Sequence, residues 1–420
     1  MILTNAQISG LGCALGWWYY PLDFGSFLET TMFERLEPKP ADPLLAIIGM
    51  FAADDRAEKM DLGVGVFRDE VGATPVMEVV KAAERRLVDS QQSKAYVGLS
   101  GDPEFVDCIF ELSFGNNSAL RARCAGLQTP GGSGALRLAA ELIRHSKPDA
   151  TVWVGLPTWD NHGPILEAAG LASQGYEYFN VADQVLDFDS MVSALSGAAA
   201  GDVVLLQGCC HNPTGADLSL EQWQRVAEIC SERKLLPFID VAYHGLGSSL
   251  DTDLAGVNAM LTKVPEAIVT VSCSKNFGLY RERTGALYFF CATPELAQIT
   301  QSNVLSIARA AYSMPPDHGA VIVRTILQDP ELTRQWRAEL AAMQKRMQTI
   351  REQLAAALGN NQGSITSQSG MFSTLNLAPE TITMLREKHA IYMATSGRIN
   401  IAGFRDADVE RFSRTVGPLL

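Results

Sequence analysis

Four apolar runs constrain this chain more than any other feature. "TVWVGLP" (151–157), "DVVLLQG" (202–208), "LLPFIDVAY" (235–243) and "AIVTVSCS" (267–274) are rich in Val, Ile and Leu and too continuous to leave one face in water. Runs of this kind, separated by helical patterns, predict strands of a parallel sheet covered by helices on both faces. One intervening pattern, "SLEQWQRVAEICSERK" (219–234), carries Trp223, Val226, Ala227 and Cys230 at helical spacing behind a possible Ser219–Gln222 capping box. Polar residues follow each run: Trp159 and His162, then Asn212, then Asp240 and Tyr243, then Lys275. Ligands of open parallel sheets bind at the carboxyl ends of the strands, so four such clusters predict one shared site.

A long helical pattern runs over 331–359 through Leu332, Trp336, Leu340, Met343, Met347, Ile350 and Leu354, and stops at Gly359. Its length suits a bridge between two domains. The expected division is a large domain over 75–350 and a small one built from 33–74 and 351–420. Residues 1–31 contain no Lys or Arg, which removes the basic region of a signal peptide, and are expected to lie outside the folded unit.

The net charge of -13 argues against nucleic acid as a partner, and no uncharged span of membrane length occurs beyond the N-terminal segment. Eight scattered cysteines with no metal-like spacing suit thiols in a reducing cytoplasm.

"TPGGSGALR" (129–137) places Gly131, Gly132, Ser133 and Gly134 before an amphipathic helix, where backbone N–H groups can face an anion. Arg283, eight residues after Lys275, offers a bidentate partner for phosphate. Together with "SCSKNFGLYRERTG" (272–285), "HNPTG" (211–215), "DVAY" (240–243), "SGRINIAG" (396–403) and "ARAAYSMPPDHG" (308–319), this set resembles the class I aminotransferases, in the aspartate/aromatic amino acid branch. The resemblance spans about 33–420. It implies the type I fold of pyridoxal 5'-phosphate (PLP) enzymes: a large domain with a mostly parallel central sheet between helices, plus a smaller α/β domain.

It implies roles residue by residue. Lys275 would form the Schiff base with PLP and carry the substrate proton. Asp240 would pair with the ring nitrogen, with His162 behind it. Asn212 and Tyr243 would meet the phenolic oxygen, and Trp159 would stack on the ring. Gly132, Ser133, Ser272 and Arg283 would hold the phosphate, joined by Tyr96 from the partner subunit of a homodimer. For substrates, the resemblance implies Arg398 at the α-carboxylate, Arg309 of the partner at a side-chain carboxylate, and Gly65, Trp159, Asn212 and Phe372 lining the pocket.

These assignments favour L-aspartate plus 2-oxoglutarate, exchanged by a ping-pong mechanism. Ala95 and Met314 replace polar residues common in strict aspartate enzymes, and Ser133 replaces a threonine. Those departures favour the alternative, a broad aromatic amino acid aminotransferase acting on tyrosine and phenylalanine. A PLP lyase or decarboxylase would keep Lys275, Asp240 and Arg283 without needing Arg309. A non-enzymatic regulator would need a DNA-binding segment.

Overall fold

The computed structural model describes residues 32–39 and 43–420. Met32–Arg35 form a single 3-10 turn, and Pro43–Leu420 form a separate compact unit. The expectation for residues 1–31 lies outside the described residues.

A seven-stranded sheet organises the larger unit. Its strands are β1 (Cys124–Pro130), β2 (Thr151–Leu156), β3 (Ala172–Glu177), β4 (Val203–Gln207), β5 (Leu236–Val241), β6 (Ala267–Ser272) and β7 (Thr284–Phe290), in the spatial order β1-β7-β6-β5-β4-β2-β3. The four strands expected from apolar runs are β2, β4, β5 and β6. They are contiguous and parallel. Alternate residues of each are buried on opposite faces: Val203 and Leu205 pack into one core, Val204 and Leu206 into the other.

The antiparallel strand β7 was not anticipated, and it matters most for the site. Its register pairs Thr284 with Pro130 at the end of β1 and Gly285 with Ser272 at the end of β6. The start of β7 therefore lies on the rim where the parallel strands end, and Arg283 is delivered there. Gly285 can occupy this position because it lacks a side chain: a Cβ there would sit 2.6 Å from the Gly131 carbonyl carbon.

Helices cover the sheet, and four of the chain's helices bear on the site or on the expected elements. The helix α1 (Gly131–Ser146) starts directly from β1 and buries Ala135, Leu136, Leu138, Ala139 and Leu142. In α2 (Leu220–Arg233) the Ser219–Gln222 capping box is formed in both directions, and Trp223, Val226, Ala227 and Cys230 are buried as the spacing predicts. Helix α3 (Pro294–Ala311) packs Ala297, Val304, Ile307 and Ala308 into the same core as α1. Helix α4 (Pro330–Leu358) has 29 residues, close to the predicted range. Asp329 caps its start by accepting from Glu331 and Leu332 N–H groups, and Gly359 ends it at φ 69°.

The segment before residue 75 meets the one after 350 where Met60–Asp61 runs parallel to Ile391–Tyr392, and within the later segment Phe372–Thr374 runs antiparallel to Arg398–Asn400. Arg351, on α4, is buried and has no carboxylate partner among the described residues. Its guanidinium donates to the carbonyls of Ile365, Ser369, Gly370 and Phe372 and to the Ser373 hydroxyl. These bonds go to the stretch that leads into Phe372 and one residue past it. Among the described residues, no helix is long and apolar enough to cross a membrane.

Candidate active site

The strand ends surround a cavity of about 240 Å³, lined by Gly65, Gly132, Ser133, Trp159, Asn212, Asp240, Tyr243, Ser272, Lys275 and Arg283, all anticipated from sequence. A larger cavity, about 1060 Å³, shares Tyr280 as a wall. The lysine, the aspartate and the glycine-rich turn all face the smaller one, which locates the chemistry there.

Lys275 sits in the turn after β6, which closes with the Gly278 N–H on its carbonyl. Its Nζ lies 4.7 Å from the centre of the Tyr243 ring. Enclosure by protein strips water from the ammonium and pulls its pKa down to about 8; nearby Arg283 adds to this, and Asp240 opposes it. The amine is thus poised near neutrality, well below an ordinary lysine.

Asp240 is the penultimate residue of β5, with its carboxylate buried. One oxygen lies 3.2 Å from His162 Nε2, and the other accepts from the Thr270 hydroxyl at 3.1 Å. His162 is anchored in turn by Thr158, whose Oγ1 is 2.8 Å from Nδ1. The carboxylate is oriented from two sides and directed at the cavity. Trp159 meets His162 edge-on, with ring centres 5.3 Å apart. Asn212 Nδ2 donates to the Tyr243 hydroxyl at 3.3 Å, and burial pushes the Tyr243 phenol above its usual range.

The opposite end of the cavity is built for an anion. A Cβ on Gly131 would lie 2.7 Å from an Arg283 guanidinium nitrogen, and one on Gly132 would lie 3.0 Å from Ser272 Cβ. Only glycine lets the start of α1 approach the arginine and serine so closely. The first N–H groups of a helix lack intrahelical partners, so they converge with Ser133, Ser272 and Arg283 on one spot. This cradle fits a phosphate, and with the lysine and aspartate placed as they are, the residues present fit PLP.

Arg398 approaches from the third side. It donates to Asn212 Oδ1 at 3.2 Å and to the Gly63 carbonyl at 2.9 Å, and lies 4.6 Å from the centre of the Phe372 ring. Its buried Nε has no hydrogen-bond partner among the described residues, leaving a donor for a carboxylate. Phe372 packs against the backbone of Gly65, where a Cβ would come within 2.8 Å of the ring.

Arg398 and Phe372 do not line the cavity themselves but back the lining residues Asn212 and Gly65, and two further anticipated residues stand apart altogether. Tyr96 is 93% exposed, and Arg309, on α3, is also exposed. Neither lines the cavity. Ala95 and Met314 line one groove together, where the Val97 N–H points at Met314 Sδ, 3.3 Å away. His211, read as structural, stacks on Tyr178 at 4.3 Å, and burial lowers its pKa to about 3.

Sequence reasoning missed Gln207, Thr158, Ser274 and Tyr280. The first was findable, because Gln207 ends an apolar run as the other site residues do. Tyr280 acts at long range: its hydroxyl accepts from the Phe67 N–H at 3.0 Å and its carbonyl from Arg283 at 3.1 Å.

A mostly parallel sheet with a desolvated lysine and an anion cradle on one rim is the fold of PLP-dependent transferases. Residues 57–416 match the family model described as aminotransferase class I and II. A tyrosine aminotransferase of Rhizobium meliloti (strain 1021) is 52% identical over 380 residues, covering 90% of this chain and 97% of that protein. An aspartate aminotransferase of Salmonella typhi is 45% identical over 381 residues, covering 89% and 96%. The crystal structure of an aromatic-amino-acid aminotransferase from Burkholderia pseudomallei, covalently bound to pyridoxal phosphate, superposes with a TM-score of 0.90 at 34% identity, covering 93% of this chain and 100% of that one. The chain belongs to the class I aminotransferases, in the aspartate/aromatic amino acid family, and is an aminotransferase.

Proposed function

We propose that this chain binds PLP in the strand-end cavity and moves the amino group of an L-amino acid to 2-oxoglutarate. The observation that carries this reading is the placement of Lys275 and Asp240 on one cavity wall, with the Gly131–Arg283 cradle closing the same cavity. When bound, PLP supplies an electron sink for the carbon that loses its proton.

The chain's residues do the rest. Lys275 would hold the cofactor, and its free amine would take and return the proton at the substrate Cα, a task matched to a lowered pKa. Asp240, steadied by His162 and Thr270, keeps a proton on the ring nitrogen. Asn212 and Tyr243 hold the phenolic oxygen, and Trp159 covers the ring. Gly132, Ser133, Ser272 and Arg283 bind the phosphate. Arg398 orients the α-carboxylate with its planar fork, as a lysine could not. Tyr96 and Arg309, exposed on one chain, serve the site of the partner in a homodimer, Tyr96 at the phosphate and Arg309 at a distal carboxylate. A cytoplasmic setting suits the free cysteines and the metabolites involved.

The lysine reading has a direct test in the cofactor-free protein. Only the unprotonated amine attacks an aldehyde, so visible absorption after mixing with PLP should develop faster as pH rises, half-maximally near 8. An ordinary lysine, at about 10.4, would keep the rate climbing well beyond pH 9. A rate independent of pH across this range would remove Lys275 as the depressed amine.

L-aspartate is the substrate that uses both arginines. A second reading, with tyrosine and phenylalanine as amino donors, is favoured by Ala95 and Met314 lining one groove and by the 52% identity to a tyrosine aminotransferase. Arg309→Leu separates the two. It should weaken aspartate and 2-oxoglutarate by roughly 30-fold to a few thousand-fold in kcat/KM, the effect of removing one partner of a desolvated charge pair, and weaken phenylalanine little. Arg398→Leu should depress all amino acids together. Equal losses for aspartate and phenylalanine in Arg309→Leu would show that the distal carboxylate is read elsewhere.

A further inference from the structure

Gln207 closes β4 and lines the cavity, yet none of the roles above requires it. Its side-chain oxygen accepts from the Asn212 N–H at 2.8 Å, and its side-chain nitrogen donates to the Asn212 carbonyl at 2.9 Å. One primary amide therefore matches both main-chain groups of one residue, and only one amide orientation does so. The second amide hydrogen points to Thr158 Oγ1 at 3.4 Å, the hydroxyl that anchors His162.

The Asn212 side chain is itself divided. Its nitrogen donates to the Tyr243 hydroxyl, and its oxygen accepts from Arg398. Rotation of the Asn212 backbone would break both contacts at once, because the side chain has a donor end and an acceptor end in fixed relation. Asn212 is buried, so an unpaired N–H or C=O there carries the full desolvation cost.

We propose that Gln207 is a positioning residue: by clamping both main-chain groups of Asn212, it sets the substrate-carboxylate arginine Arg398 and the phenol Tyr243 in one fixed relation. This rests on the functional reading above. Its consequence is a coupling between substrate affinity and the proton affinity of the bound cofactor, since Arg398 governs the first and Tyr243 with Asn212 the second.

The test uses the PLP-loaded enzyme and two variants. Gln207→Met keeps the length and removes every polar group. Gln207→Glu keeps the acceptor for the Asn212 N–H and loses the donor for its carbonyl. The probe is 3-phenylpropionate, which offers a carboxylate to Arg398 and has no amine to react. Its affinity should fall on the order of 10- to 100-fold in Gln207→Met, and less in Gln207→Glu. The pH midpoint of the visible absorption should shift upward in the same order, while the melting temperature falls by only a few degrees in Gln207→Met, which leaves both Asn212 main-chain groups unpaired.

Wild-type affinity and midpoint in Gln207→Met would overturn the proposal. So would equal losses in both variants that track a lowered melting temperature, which mark a purely structural role. If Gln207→Met does not fold, Gln207→Glu decides alone: an unchanged affinity and midpoint there sinks the clamp. Failure of the functional reading looks different, because wild-type protein would then show no visible band with PLP.

Discussion

Lys275→Ala is expected to lose steady-state transamination by roughly 10⁴-fold or more, the upper end of what a single acid–base group contributes, since the same amine also holds the cofactor. PLP should still bind noncovalently, because the Gly131–Arg283 cradle and Asp240 are untouched by the change. Borohydride reduction followed by peptide mapping provides a second readout. Wild type should carry a permanent label on the peptide containing residue 275, and the variant none. Near-wild-type turnover in the purified variant, or a label on another lysine, would show that the wrong amine was chosen.

Asp240→Ala should lower turnover by roughly three to five powers of ten, each about 1.4 kcal/mol of barrier. The ring is a weak electron sink without a proton on its nitrogen, and Asp240 lines the cavity beside the buried His162. Asp240→Glu keeps the charge but displaces it from the His162 and Thr270 contacts, so its loss should be smaller. The comparison is made by single-turnover kinetics with saturating PLP, which separates turnover from cofactor loss. Equal rates for the Ala and Glu variants would remove Asp240 from this role.

How much of this was legible in the sequence follows from what each residue answers to. Lys275, Asp240 and Asn212 stand out because a polar residue ending a buried apolar strand is costly unless a ligand or a partner meets it there. Strands β2, β4, β5 and β6 are apolar enough to be seen. β3 was invisible for the opposite reason: "ASQGYE" buries only Tyr176, so no apolar run marks it. β7 is buried throughout, but only register shows that it runs backwards and brings Arg283 to the rim. The sequence identifies the glycines of "PGGSG" but not their purpose, which depends on an arginine about 150 positions away and is set by distance in space. Thr158 acts on His162, which is hidden behind the site, and Tyr280 on Phe67, which is remote in sequence, and no residue pattern encodes such contacts.

The buried fork of Arg351 bears on how this enzyme could be re-engineered. Its bonds to the stretch around residue 372 go to four main-chain oxygens and one serine hydroxyl, so they do not depend on the side chain at 372 itself. The course of this stretch is set by backbone, and what presses on Gly65, which lines the cavity, by whichever side chain stands at 372. A library varied at 372 should keep the stretch in place and alter the packing behind the cavity, whereas one that includes 351 should mostly yield collapsed or insoluble protein. The same separation would let natural drift at 372 retune that packing without rebuilding the stretch.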